Sequence, residues 1–90
     1  MAGYRLLIKP SAAKEIEAIG PKRDRQRIVA RIVALAAEPR PVGYEKLAGV
    51  AGRLRIRQGN YRIVYAVDDE VREVDVVKVG HRREVYRDGT

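Results

Sequence analysis

The hydrophobic period of this 90-residue chain changes at Arg53, and that change limits which folds it can adopt. Upstream of Arg53, apolar residues recur at helical spacing. From Arg53 to Arg57 they alternate strictly with arginine. A period of two is the pattern of a strand with one buried and one exposed face. The sequence therefore predicts one α+β domain over residues 1–90, with antiparallel strands in its second half.

The first half of the chain has the start and stop signals of a strand and two helices. Residues 4–9 form a short apolar run, which predicts an N-terminal strand. Gly20 ends a helix predicted over 11–19, and Pro39 and Pro41 stop a second helix that begins near Pro21. The Pro- and Gly-containing residues 39–52 are predicted to be a long connection.

The second half predicts a three-strand antiparallel meander. The strands are expected over 53–57, 61–67 and 71–80, joined by tight turns. Alternation slips at Val76 and Val77, which indicates a β-bulge. Both helices are expected to pack on one face of the sheet, so the other face meets solvent or a ligand.

The charge of the chain suggests a polyanionic partner. Nineteen Lys and Arg residues against twelve Asp and Glu give a net charge of +7 and a pI near 10.1. RNA, DNA, the ribosome and an acidic protein segment all fit, and the uneven placement of the arginines favours nucleic acid over a merely basic protein. There is no cysteine, which excludes a disulfide framework and a thiolate nucleophile. A cytoplasmic location is expected, without a membrane span or signal peptide.

The arginines of the predicted meander are the candidate anion site. Arg53, Arg55 and Arg57 share one strand face, and Arg62 can point the same way beyond the turn. No acidic residue lies between Arg53 and Val67, so the cluster is expected to lack a counter-ion. Guanidinium groups match phosphate oxygens and can stabilise a phosphoryl transition state. The alternative is a solvated face that prevents edge aggregation.

The C-terminal segment adds candidates for acid–base chemistry. Arg82, Arg83 and Tyr86 lie close to His81, the only histidine. Positive charge favours a phenolate, so Tyr86 is a candidate base or a stacking ring, and the alternative is an amphipathic ring packed at the sheet edge. His81 is a candidate general acid or base, or else a surface residue.

Other features of the sequence are less specific. Three arginines form a row at positions 23, 27 and 31 of the second helix, as a solvated face or as a surface for RNA or an acidic partner. Neither metal-ligand spacing nor a nucleotide-binding motif is present, so no metal and no cofactor are expected.

Four segments carry a family resemblance. RLRIRQGNYRIVY (53–65) and VGHRREVYR (79–87), with EKLAG (45–49) and KPSAAKEI (9–16) before them, resemble the RelE/ParE superfamily of type II toxin–antitoxin toxins. The resemblance implies a fold like small microbial RNases and a cognate antitoxin with a short acidic, amphipathic segment. RelE-like members cut mRNA in the ribosomal A site. ParE-like members inhibit DNA gyrase and lack the RNase residues.

The resemblance also assigns roles to the candidates. It implies attack of the ribose 2′-OH on the adjacent phosphate, with Tyr86 as base, Arg62 stabilising the phosphorane and Arg82 assisting the leaving oxygen, a role for which His81 competes. Arg55 and Arg57 would bind phosphate, and Arg53 is an alternative to Arg57. Many members have lysines at these positions. A gyrase inhibitor without nuclease activity, and an inert relative that serves in repression, remain alternatives.

Overall fold

The computed structural model describes residues 3–83, which form two helices and five strands. The chain runs in the order β1 (Arg5–Ile8), α1 (Pro10–Glu17), α2 (Lys22–Leu35), β2 (Glu45–Lys46), β3 (Leu54–Gln58), β4 (Tyr61–Asp68) and β5 (Glu73–His81). Among the described residues, no helix is both long enough and apolar enough to cross a bilayer.

The strands form one mixed sheet in the order β1-β5-β4-β3-β2. The meander of β3, β4 and β5 is antiparallel, as predicted. The prediction of a wholly antiparallel sheet is wrong at the N terminus, because β1 lies beside β5 and runs parallel to it. A parallel pair needs a long crossover, and α1 and α2 lie on the chain between these two strands. The predicted connection over 39–52 also contains a strand, β2, which pairs with β3.

The core lies on one side of the sheet, where both helices pack. Each element presents its apolar positions to this side at the period of its own structure, with helical residues three or four apart and strand residues two apart. The α+β class and the placement of both helices on one face are therefore confirmed. The buried cluster comprises Ala12, Ile16, Ile19, Ile28, Ile32, Leu35, Leu54, Ile56, Ile63, Tyr65, Val74, Val76 and Val79.

A β-bulge in β5 confirms the predicted slip in alternation. Tyr65 pairs with Val76, whereas Val64 pairs with Lys78, so Val77 has no partner in the ladder. The extra residue reverses which positions of β5 face the helices. Val74 and Val76 are buried before the bulge, and Val79 is buried after it.

Tyr65 ties the sheet to the connection that follows α2. Its ring is fully buried, and its hydroxyl donates a 2.7 Å hydrogen bond to the carbonyl of Pro39. Burial raises the pKa of Tyr65 to about 12. The neutral phenol is therefore the form that the folded core holds.

Three polar side chains form a hydrogen-bonded cluster at the end of the sheet where the chain turns from β4 to β5. Both guanidinium nitrogens of Arg40 donate to the carboxylate of Asp69, at 3.2 and 2.9 Å, and the hydroxyl of Tyr4 donates to it at 2.7 Å. The hydrogen bonds from Arg40, and then from Tyr4, lower the pKa of Asp69. This end is opposite the hairpin turn between β3 and β4.

We expect Tyr65→Phe to lower the free energy of unfolding by about 1 kcal/mol, because it leaves the Pro39 carbonyl without its buried donor. The folded-state pKa is raised, so wild type also loses stability from about pH 10 to about pH 12, as the unfolded chain ionises first. Phenylalanine cannot ionise, so Tyr65→Phe does not show this loss of stability at alkaline pH. Urea unfolding at neutral and alkaline pH measures both effects.

Tyr44→Phe is the matched control for this substitution, because Tyr44 packs against the core only in part and its hydroxyl forms no hydrogen bond with another described residue. Equal losses of stability in the two variants would contradict the role given to the Tyr65 bond.

Candidate nucleic-acid interface

A two-residue turn places two arginines opposite each other. The β3–β4 hairpin closes with the pair Gln58 and Tyr61. Gly59 has a φ of 61°, and among non-glycine residues that the structure describes only Arg72 has a positive φ. Glycine at the first central position is typical of a type II′ hairpin turn, whose twist matches that of the strands. The next pair in the ladder is Arg57 and Arg62.

Arg57 and Arg62 lie on the outer face of the sheet, the side away from α1 and α2. Their neighbours Ile56 and Ile63 belong to the core, so alternation directs the arginines outward. The Arg62 Nη1 donates to the carbonyl of Tyr61 at 3.0 Å and approaches that of Gly59 at 3.5 Å. Neither arginine forms an ion pair within residues 3–83. Two facing like charges repel, and a bound anion relieves that repulsion.

Arg55 shares the outer face but has a counter-ion. Its Nε donates to Glu45 Oε1 at 2.9 Å, and an Nη donates to the same oxygen. The expectation that the cluster lacks a counter-ion is therefore wrong at this residue. Glu45 lies in β2, directly opposite Arg55 across the ladder. Because Glu45 belongs to a strand before the meander, the absence of acidic residues within the meander did not predict this counter-ion.

Arg53 lies at the far end of β3 from the hairpin turn. It precedes the strand, and its carbonyl accepts a 2.9 Å hydrogen bond from the Leu47 amide. Four residues of extended chain separate it from Arg57, or about 13 Å. Arg53 instead borders a groove of 740 Å³ beneath the 39–52 connection, together with Lys46 and Leu54.

The segment after β5 returns to the hairpin turn. The Arg82 amide donates to the carbonyl of Asn60 at 2.8 Å, which brings Arg82 beside the turn that carries Arg62. Arg83 follows and is exposed. Tyr86 lies outside the described residues. The structure thus places Arg57 and Arg62 opposite each other, brings the backbone of Arg82 to the same turn and leaves Arg53 apart.

His81 lies at the same end of the sheet but on the helix side. It pairs with Tyr61, and the two rings meet edge to face with centroids 5.9 Å apart and planes at 77°. Its Nδ1 accepts a 3.3 Å hydrogen bond from the Arg83 amide. That bond makes Nε2 the proton-bearing nitrogen of the neutral ring.

Lys78 is a cation of the outer face that the residue-by-residue reading missed. It pairs with Val64, which lies outside the core cluster. Its Nζ is 3.6 Å from Glu15 Oε2, while Glu15 Oε1 accepts a 2.8 Å hydrogen bond from the Val79 amide. The predicted bulge was the available signal, because leaving Val77 out of the alternation places Lys78 on the same face as the arginines.

The outer face changes its charge balance away from the turn. Near β1, Glu73 is 3.5 Å from Arg5 and Asp75 is 3.2 Å from Lys9, so the charges there are paired. Arg57 and Arg62 at the hairpin end have no such ion pair with another described residue. Within residues 3–83, no group of three or more His, Asp or Glu side chains could hold a metal ion.

The sequence and the fold have clear counterparts among known proteins. A family profile described as the ParE toxin of type II toxin–antitoxin system, parDE, matches residues 6–86. Toxin RelG of Mycobacterium tuberculosis is 32% identical over 89 residues, which cover 93% of this chain and 97% of RelG.

Solved structures agree with the sequence comparisons. The toxin–antitoxin complex RelBE2 from Mycobacterium tuberculosis matches with a TM-score of 0.78 and 30% identity, over 89% of this chain and 99% of that chain. The isolated E. coli RelE toxin matches with a TM-score of 0.72 and 31% identity, over 87% and 83%. This chain, a small α+β domain of two helices on one mixed sheet, has the fold of these toxins. This chain belongs to the RelE/ParE superfamily of type II toxin–antitoxin toxins.

We expect Glu45→Gln to strengthen the binding of single-stranded RNA, because it removes the carboxylate that neutralises Arg55. One more phosphate contact should steepen the slope of log K against log salt by about 0.7. Fluorescence anisotropy with a short RNA, titrated at several salt concentrations, measures the slope.

Glu38→Gln is the control for charge alone, since Glu38 is exposed and lies in the segment that follows α2. Identical slopes for the two variants would show that Glu45 does not compete with phosphate at Arg55.

Proposed function

We propose that this chain is a ribosome-dependent endoribonuclease toxin that cuts mRNA in the cytoplasm. The observation that carries the proposal is the group of arginines at the β3–β4 turn. Arg57 and Arg62 face each other without an ion-pair partner among the described residues, and a backbone hydrogen bond holds Arg82 to the same turn. This arrangement offers a phosphate forked donors from more than one side.

In the proposed reaction the ribose 2′-oxygen attacks the adjacent phosphorus. The new bond closes a cyclic phosphate, and the bond from phosphorus to the 5′-oxygen breaks. Tyr86 takes the proton of the 2′-OH, and Arg62 stabilises the extra negative charge of the phosphorane. The role of Tyr86 rests on the family resemblance.

The leaving oxygen needs positive charge and then a proton. Arg82 supplies charge, but a guanidinium is a poor proton donor because of its high pKa, so the leaving oxygen takes its proton from water. His81 has a transferable proton, yet its ring lies on the side of the sheet opposite Arg62. General acid–base catalysis of the cleavage by the protein alone is therefore weak. We infer that the ribosome supplies the missing rate by holding the RNA in line for attack.

A cognate antitoxin is the proposed inhibitor. Two of the structural relatives are complexes of RelE-type toxins with antitoxins, from Mycobacterium tuberculosis and E. coli. For this chain we propose an antitoxin with an acidic, amphipathic segment, because an acidic side chain would neutralise Arg57 and Arg62. Binding should then weaken as salt is added.

Inhibition of DNA gyrase is the second candidate function. Two observations favour it: the matching family profile is that of ParE toxins, and α2 carries a row of basic side chains at Arg23, Arg27 and Arg31. Supercoiling blocked in vitro, with translation unaffected, would select this function over RNA cleavage.

We expect Arg62→Ala combined with Tyr86→Phe to abolish toxicity and to slow mRNA cleavage at least about 100-fold, because phosphorane stabilisation and the general base are both lost. Growth after induced expression without antitoxin, and primer extension on a translated mRNA, measure the two effects.

Arg5→Ala combined with Tyr44→Phe is the matched control, since it makes the same kinds of change away from the turn, with Arg5 in the edge strand β1. Toxicity of the test variant equal to that of wild type would rule out the assigned residues. Intact mRNA after wild-type induction would rule out the nuclease.

A further inference from the structure

A small polar pocket lies between the β3–β4 turn and the start of α2. Its volume is 120 Å³, equivalent to about four water molecules of liquid, which suits one flat base rather than a whole nucleotide. Carboxylate, guanidinium, amide and phenol groups all reach it. The lining residues are Asp24, Arg27, Gln58, Gly59, Asn60 and Tyr61.

The charged side chains of this pocket have no protein partners in the part of the chain that the structure describes. Asp24 and Arg27 lie one turn apart on α2, yet they form no ion pair with each other or with another residue of 3–83. Asp24 is half-buried, so its carboxylate has lost part of its water without gaining a donor. A ligand with hydrogen-bond donors would satisfy it.

The pocket and the proposed phosphate site share the hairpin turn. Gly59 and Asn60 line the pocket, and their carbonyls meet residues of the proposed site: Nη1 of Arg62 approaches the Gly59 carbonyl, and the backbone amide of Arg82 donates to the Asn60 carbonyl. Arg62 lies on the outer side of the turn and the pocket on its helix side, so a polymer whose phosphate lies at Arg62 would cross the two-residue turn to place a neighbouring base in the pocket.

We propose that this pocket binds one base of the RNA next to the phosphate held by the arginines; the proposal rests on the proposed nuclease function. A phosphate group itself is a poor occupant, because the Asp24 carboxylate would repel it. A base offers donors and acceptors on its edge and a flat face to the Tyr61 ring. The pocket would thus make the toxin selective among sequences.

The paired charges point to guanine. A carboxylate has two acceptor oxygens side by side, and only guanine presents two adjacent donors, N1–H and the N2 amino group, on its pairing edge. Its O6 and N7 are acceptors suited to Arg27. Adenine, cytosine and uracil each offer Asp24 a single edge donor.

Base preference at the cleavage site tests the proposal. We expect wild type to favour guanine at one position beside the cut, and Asp24→Asn to reduce that preference at least about tenfold, since a matched bidentate pair discriminates by about that factor. Primer extension on translated mRNAs that differ only at the flanking bases gives the ratio. Glu17→Gln, an exposed carboxylate of α1, is the control and should keep it. An unchanged preference in Asp24→Asn, or no base preference in wild type, overturns the proposal.

Nucleotide binding separates failure of the pocket from failure of the nuclease. NMR titration of the full chain with guanosine 5′-monophosphate should shift the Gly59 and Asn60 amide signals more than adenosine 5′-monophosphate does, and Asp24→Asn should remove the difference. If this result holds and no RNA is cut, the nuclease function is wrong and the pocket stands. Equal shifts with both nucleotides overturn the pocket even where cleavage is observed.

Discussion

The basic face depends on the burial of the opposite side of the same strands. Leu54, Ile56 and Ile63 give up water contact by packing under α1 and α2, and the pleat then directs Arg55, Arg57 and Arg62 the other way. Burial of the core thus holds these like-charged arginines closer together than their mutual repulsion favours. Repulsion that remains at the surface is released when an anion binds, so stability and anion affinity are linked through the same strands.

The hairpin turn is where the separate parts of the molecule meet. It closes β3 on β4, presents carbonyls to Arg62 and to the Arg82 amide, and forms one wall of the pocket next to α2. Gly59 makes this possible, because its positive φ lets two residues turn the chain in register. A longer loop would move the phosphate-binding arginines relative to each other and relative to the pocket.

The local sequence pattern predicted most of the helices and strands. The features that it did not predict depend on pairing between segments that are distant in the sequence. Alternation located β3 to β5 and the slip at Val77, because both are properties of neighbouring residues. The parallel position of β1 and the two-residue strand β2 depend on partners dozens of residues away, and so does the Glu45 carboxylate that neutralises Arg55. Among the site candidates, alternation alone would have put Arg53 with the others, but it precedes the strand and lies at its far end.

The bulge in β5 has a consequence for how this chain can change in length. Val77 is the extra residue of the ladder, between Val76 on the helix side and Lys78 on the outer side. Removing Val77 would leave Lys78 opposite Val64 and Val79 opposite Ile63 in a regular ladder, so every side chain would keep its side of the sheet. Removing or adding one residue elsewhere in β5 would exchange the two sides over part of the strand, whereas a pair of residues could be gained or lost without that exchange. A single-residue deletion should therefore be tolerated at Val77, and elsewhere changes in length should be tolerated by twos or where another bulge restores the alternation.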